Sequence, residues 1–372
     1  MPYYNAYTLF NWPNIAMTDF ATQPDQLTAE QMDHYLRAHG CLGEARVTGL
    51  ETTLIGTGKM GDNARLRLTY EGDPGNAPKT LVAKLPASDE HARAMAGAQG
   101  AYYNEVMFYR ELAPGTSIRT PHIYASELSA DRTEFLLIME DMAPAAPGSQ
   151  LVGESREHAE LALNEVAKLA AAYYGNDSFR DRDYVVTPVH DDGGEFGGAL
   201  MEQSWPGFID RFGHGLSKEA IRFGERYVRG HVHFVNRYQG AKTLIHGDFR
   251  CENILFGDNE AAVVDWQTVS ESSVLTDAAY FLGGSLELAD RRAWEKALIE
   301  NYRVALDKAG VALSSQECWD QYREFAMHGI IITVLGASFS SPAERSDQMF
   351  LAMIQRHLQQ CLDLESQEFL PA

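Results

Sequence analysis

The chain has 372 residues, 45% of them apolar, and a formal net charge of −21. This describes a globular protein long enough for two lobes with separate cores, not a disordered chain. The excess of acid argues against nucleic acid or an anionic membrane as partner, since both require positive surface, and suits a cytosolic protein that stays soluble.

Residues 1–20 lack the basic and apolar regions of a signal peptide, and no later apolar run reaches the length of a membrane span. Thr28-Ala29-Glu30-Gln31 has the capping-box pattern that opens a helix. Two strand-like runs follow, Val47 to Ile55 and Ala64 to Tyr70, the second alternating as a half-exposed strand does. Between them Gly56, Gly58 and Gly61 form a turn whose backbone N–H groups could approach phosphate oxygens. An ordinary hairpin would read the same way, and the Lys-Ser or Lys-Thr of a Walker loop is absent. Leu81-Val82-Ala83-Lys84 is a buried strand ending in a cation, which needs an anionic partner. The segment from Ala92 to Leu112 is helical in composition and carries Glu105; Glu111 and Glu90 are further candidate partners.

Leu136 to Met139 reads as another buried strand, leaving through Glu140-Asp141-Met142 into a Pro/Gly/Ala-rich connector that ends at Gly148. Helical periodicity dominates afterwards, over Glu157 to Tyr174, Ser217 to Tyr238, Ser315 to Leu335 and Gln348 to Leu364. His190-Asp191-Asp192-Gly193-Gly194-Glu195 is an acidic loop, read as solvated. Trp205, Phe208, Tyr227 and Trp319 could line an apolar pocket, but at helical spacing they read first as core. Cys41, Cys251, Cys318 and Cys361 are scattered without metal-binding spacing, as expected of reduced thiols in a cytoplasmic protein.

The helical half is interrupted by its most informative stretch, His246-Gly247-Asp248-Phe249-Arg250-Cys251-Glu252-Asn253, followed by Val263-Val264-Asp265-Trp266. Asp248 and Asn253 have the spacing of the Asp and Asn in the kinase loop H-R-D-x-x-x-x-N. Ile254-Leu255-Phe256 and Val263-Val264 read as short strands joined by a turn at Gly257-Asp258-Asn259, a hairpin that returns Asp265 to Asn253. Mg²⁺ takes hard oxygen ligands, usually one or two carboxylates beside phosphate oxygens and water. Asn253 and Asp265 therefore read as metal ligands, and Asp248 as the acid that orients an acceptor hydroxyl and takes its proton late. His246 reads as a brace for the loop, and Trp266 as packing that fixes Asp265.

The stretch resembles the nucleotide-dependent loop of the aminoglycoside phosphotransferase and choline kinase-like superfamily, and the chain as a whole looks like bacterial members of its ecdysteroid kinase-like branch. Further matching pieces are residues 55–62, 82–86, 104–112, 136–142 and 279–286. Glu252-Asn253 stands where relatives usually read Asp-Asn, a departure outside the metal-binding positions. The resemblance implies an α+β, protein-kinase-like fold of two lobes. Residues 1–139 would form a small lobe with an antiparallel sheet, 140–148 a hinge, and 149–372 a mainly helical lobe. It implies ATP and Mg²⁺ as cofactors and a hydroxylated small molecule as acceptor. Gly56, Gly58 and Lys84 would hold phosphates and Glu105 would pair with Lys84. The hinge backbone at Glu140 and Met142 would meet the adenine, and Asp277 would steady the catalytic loop. Two other classes stay open: a nucleotide-binding pseudokinase, although none of its Lys, Asp, Asn and Asp positions is lost, and a metal-dependent phosphoesterase, which needs further His and Asp ligands. A protein kinase fits less well, because D-F-G and A-P-E are absent.

Overall fold

Thr28 opens the first helix as its sequence predicts. Its hydroxyl accepts from the Gln31 N–H at 3.2 Å, and the Gln31 side chain accepts from the Thr28 N–H at 3.0 Å. The computed structural model describes residues 20–56, 60–187 and 192–372. Two compact units divide them: one holds the residues up to Glu111 together with His122–Asp141, the other Leu112–Pro121 and Met142–Ala372.

In the first unit, helix α1 (Ala29–Ala38) buries Met32, Tyr35 and Leu36, the i, i+3, i+4 stripe of an amphipathic helix. Strands β1 (Arg46–Ile55), β2 (Gly61–Glu71), β3 (Thr80–Pro86), β4 (Ile123–Leu128) and β5 (Phe135–Glu140) form one sheet in the order β1-β2-β3-β5-β4. Every pairing in it is antiparallel. Alternation along β3 decides where its lysine goes. Leu81, Ala83 and Leu85 join the core shared with α1, so Val82 and Lys84 point to the other face. Beyond β3 the single helix expected from Ala92 to Leu112 is interrupted. It divides into α2 (Glu90–Ala98) and α3 (Ala101–Met107), because Gly100 between them takes φ +70°, a left-handed conformation that ends one helix and starts another. Asp89 caps α2 by accepting from the Ala92 N–H at 2.8 Å.

In the second unit the connector is a structural edge. Its Ala146–Pro147 forms β6, which pairs with β8 (Ile254–Gly257), and β8 pairs with β9 (Glu260–Val263). The turn between β8 and β9 places Asn259 at φ +61°, a conformation that Asn tolerates in tight hairpins. A second ribbon pairs β7 (Thr243–Ile245) with β10 (Ser270–Ser272). The helices are α4 (Arg156–Tyr173), α5 (Glu195–Phe212), α6 (Lys218–Arg237), α7 (Thr276–Ser285), α8 (Leu288–Lys308), α9 (Ser315–Phe325), α10 (His328–Ser338) and α11 (Glu344–Asp363). The helix expected from Ser315 to Leu335 is thus two, separated at Ala326–Met327. Every residue of α7 is buried, and α4, α8, α9, α10 and α11 pack around it. Full burial of a side chain such as Phe281 or Leu282 contributes about 1.5–3 kcal/mol. A helix locked this tightly is a rigid mount for polar groups. No helix among the described residues is long and apolar enough to cross a membrane.

Candidate active site

Lys84 and Glu105 meet on the α3 side of the sheet. The Lys84 ammonium lies 2.7 Å from Glu105 Oε2 and 2.9 Å from Oε1, and the carboxylate is only 2% exposed. Leu137, opposite Lys84 in the ladder, and the Tyr102 ring stacked on Phe135 at 4.5 Å keep this face apolar. A charge pair in such surroundings holds its geometry, because either charge alone would be costly to bury. Gly56 sits at the end of β1 with φ +73° and open space where a Cβ would be. Gly58 lies outside the described residues, as do His190 and Asp191. Glu140 ends β5; its N–H bonds to the His122 carbonyl at 2.8 Å, and its carboxylate accepts from the His122 N–H at 3.0 Å. Next to it Asp141 accepts a two-pronged bond from Arg65, at 2.8 and 3.1 Å. Met142 begins the second unit, and its carbonyl accepts from the Ala145 N–H at 2.9 Å.

The segment carrying Asp248 leaves β7 through a turn held from several sides. Asp277, on the buried α7, accepts from the N–H of His246 at 2.7 Å and of Gly247 at 3.1 Å. Burial raises the Asp277 carboxyl, while His246 and these N–H groups oppose the rise. Gly247 has φ +85°, and a Cβ there would collide with the Thr268 carbonyl. His246 donates from Nε2 to the Val264 carbonyl at 3.0 Å and accepts at Nδ1 from the Asp248 N–H at 3.3 Å. That pair of bonds selects one tautomer and ties the loop to the strand that precedes Asp265. His328, at the start of α10, donates to the Gly247 carbonyl at 2.8 Å.

Asn253 lies beside Asp248. Its amide nitrogen donates to the Asp248 carbonyl at 2.9 Å and to Oδ2 at 3.0 Å. The carbonyl oxygen of the same amide is thereby turned the other way. The hairpin closes the arrangement, since the Val264 N–H donates to the Asn253 carbonyl at 3.0 Å and Ile254 faces Val263. Asp265 follows with φ +68°, a left-handed turn that ends the strand direction, and Gln267 donates to its Oδ2 at 3.4 Å. Trp266 is fully buried, donates to the Val263 carbonyl at 3.2 Å and packs on His246. Asp248 and Asn253 are therefore in direct contact, and the hairpin brings Val264, the residue before Asp265, against the Asn253 backbone. An amide oxygen and a carboxylate form an oxygen donor set of the kind Mg²⁺ accepts beside phosphate.

Two neighbours of Asp248, Tyr280 and Arg250, carry no sequence expectation. Tyr280 donates to Oδ1 at 2.7 Å, Arg250 lies 3.3 Å from Oδ2, and Glu252 binds the other side of the Arg250 guanidinium at 2.7 Å. These carboxylates raise the already high Arg250 value further, against the effect of its burial. Tyr280 lies within a stretch that matches the family, but only its fold neighbours reveal what it touches. Trp205, Phe208 and Tyr227 are buried, and Trp319 packs on Tyr322 with Lys296 over its ring.

The sequence model of the ecdysteroid kinase-like family matches residues 59–314. No curated protein matches the chain. Among solved structures, choline kinase from Cryptosporidium parvum Iowa II superposes with a TM-score of 0.55 at 11% identity, over 92% of this chain and 98% of that one. The GDP complex of wild-type aminoglycoside 2′-phosphotransferase-IIIa gives 0.50 at 12% identity, over 92% of this chain and 100% of that one. At such identities the likeness speaks for the fold: an antiparallel-sheet lobe and a helical lobe, as in kinases. The chain belongs to the ecdysteroid kinase-like family, whose model covers more than half of its length.

Proposed function

We propose that the protein uses ATP and Mg²⁺ to move the γ-phosphate onto a hydroxyl of a small molecule. The observation that carries the reading is the Asp248–Asn253 contact at 3.0 Å, on a loop whose hairpin returns the chain to Asp265. Asp248 orients the acceptor O–H and receives its proton as the oxygen bonds to phosphorus, while ADP leaves with the electron pair of the broken P–O bond. Asn253 and Asp265 hold the metal through oxygen, and Mg²⁺ supplies neutralisation of phosphate charge. Lys84, oriented by Glu105, grips phosphate oxygens, and the loop at Gly56 and Gly58 covers them. The backbone around Glu140 and Met142 receives the base. The lobes are assigned to residues 1–139 and 149–372, with 140–148 as hinge. A net charge of −21 sharpens the role of Lys84 and the metal, because without local positive charge the chain would repel a polyphosphate.

A pseudokinase usually lacks one of these positions, and Lys84, Asp248, Asn253 and Asp265 are all present. A two-metal phosphoesterase would need a denser ligand set; among the described residues no three His, Cys, Asp or Glu gather to hold a metal. The test is ADP release from MgATP across a panel of hydroxylated metabolites, with product phosphorylation followed by mass. Asp248→Ala is expected to slow transfer by about 10²–10⁴-fold with MgATP binding little changed. Full activity in that variant would remove Asp248 from the mechanism.

A further inference from the structure

Tyr280 is fully buried on α7, yet it is polar and points at a carboxylate. Its hydroxyl donates to Asp248 Oδ1 at 2.7 Å, while Asn253 and Arg250 occupy Oδ2 at 3.0 and 3.3 Å. The two oxygens of Asp248 are thus held by different donors, and the Oδ1 side depends on one phenol. Burial and the neighbouring Asp248 raise Tyr280 well above the usual range, so the phenol keeps its proton and remains a donor.

The ring that carries this hydroxyl is itself held by unusual packing. The imidazole of His357, on α11, lies almost parallel to it, at 5.1 Å between centroids and 9° between planes, and His328 meets its edge at 5.5 Å. His357 is fully buried, and among the described residues neither of its ring nitrogens makes a hydrogen bond of good geometry, with the Gln360 side chain as its polar neighbour. Room for the imidazole comes from glycines on two helices. A Cβ at Gly284 would stand 2.7 Å from Nε2, one at Gly283 would stand 2.8 Å from Nδ1, and one at Gly329 would run into the ring. Glycine weakens a helix interior, and an unpaired ring nitrogen weakens a core. Stability alone would favour larger side chains in α7 and α10 and an apolar one at position 357.

We infer that Tyr280 is a positioning residue for Asp248, aligning the carboxylate through Oδ1, and that His357, seated among Gly283, Gly284 and Gly329, holds the phenol in register. The inference rests on the phosphotransfer reading for its catalytic consequence, but not for its geometric content.

The test uses the full chain with MgATP as probe and compares Tyr280→Phe, Asp248→Asn and the double variant. Tyr280→Phe keeps the ring and the stack while deleting one oxygen. The ADP release rate at saturating MgATP is expected to fall about 10- to 100-fold, the usual consequence of a misplaced reacting group. KM for MgATP stays at the wild-type value, and the substitution has no further effect on ADP release in the Asp248→Asn background. A crystal structure of Tyr280→Phe is expected to show the Asp248 carboxylate rotated from its wild-type position. An unmoved carboxylate overturns the inference, as does a loss confined to melting temperature or to KM. ADP release that is abolished in Asp248→Asn and undiminished in Tyr280→Phe also overturns it while leaving phosphotransfer standing. Equal ADP release in wild type and Asp248→Asn instead removes the role proposed for Asp248, and the rotamer in the crystal still decides the positioning claim.

Discussion

Asn253 spends its amide nitrogen on Asp248, at 2.9 Å to the carbonyl and 3.0 Å to Oδ2, so the oxygen is the only part of the amide left for a metal. This gives a counterintuitive prediction. A carboxylate is a better Mg²⁺ ligand than an amide. Asn253→Asp would nevertheless bring a second carboxylate against Asp248, a repulsion on the order of 4 kcal/mol at about 4 Å and an effective dielectric constant of about 20. MgATP affinity and turnover are both expected to fall in Asn253→Asp, at least as far as in Asn253→Ala. Calorimetric titration with MgATP decides, and tighter binding in Asn253→Asp would contradict the account.

Lys84 and Glu105 separate stability from function. Lys84→Met leaves the Glu105 carboxylate, 2% exposed, without its cation. Breaking a buried pair from one side typically costs about 3–5 kcal/mol, whereas replacing both partners by apolar groups can be nearly neutral. The melting temperature is expected to drop in Lys84→Met and recover in Lys84→Met with Glu105→Leu. MgATP affinity is expected to stay low in both. Restored nucleotide binding in the double variant would show that Lys84 serves only the fold.

The parts legible in sequence were those whose information is local. The capping box at Thr28, the cation within β3, the Asp248–Asn253 spacing and the hairpin returning toward Asp265 all lie within short windows, and alternation or turn chemistry is enough to read them. Asp277 as a loop anchor and His246 as a brace were also readable, the first from resemblance and the second from its place beside Gly247. Helix breaks were not. Gly100 and the Ala326–Met327 turn interrupt sequences of good helical composition, because one left-handed residue or one tertiary demand outweighs a summed propensity. Tyr280, Arg250 and His357 were invisible for a different reason. Their partners lie 32, 2 and 77 positions away, and at Tyr280 and His357 no local pattern separates a core aromatic from one that touches a carboxylate. Arg250 was close enough to be seen, but a cation two residues from an acid is commonplace.

Asp277 ties the loop that carries Asp248 to the fully buried helix α7. Asp277→Ala would leave the buried N–H groups of His246 and Gly247 without their acceptor. Each unsatisfied donor costs about 1–3 kcal/mol, so the loss of stability should be among the larger single-residue effects in this chain. Asp277→Asn retains one acceptor oxygen and should fall between wild type and Ala. Because the loop carries Asp248, ADP release should fall in the same order. Chemical denaturation and turnover measured on the same samples check the ranking, and an Asp277→Ala variant as stable as wild type would contradict it.

Acid should destabilise the protein before its carboxylates titrate. Burial lowers His231 to about 4 and His357 to about 3, and it also lowers His328. A histidine whose folded value lies below its unfolded value of about 6.5 is protonated first in the unfolded chain. Its neutral form therefore supports the fold fully above that value, and the support is lost as pH falls toward the folded value. At pH 5 the deficit is about 2 kcal/mol for His231 and for His357, from a separation of about 1.5 units at 1.36 kcal/mol per unit. Asp277, which burial raises, acts in the opposite sense, since its protonation as pH falls is easier in the folded chain. The melting temperature is expected to fall steadily between pH 7 and pH 5. His357→Phe, which keeps a ring against Tyr280 but cannot take up a proton, should make that fall shallower by one histidine's share. A melting temperature independent of pH across this interval, or a His357→Phe curve parallel to that of the wild type, would mean that the buried imidazole is protonated in the folded state.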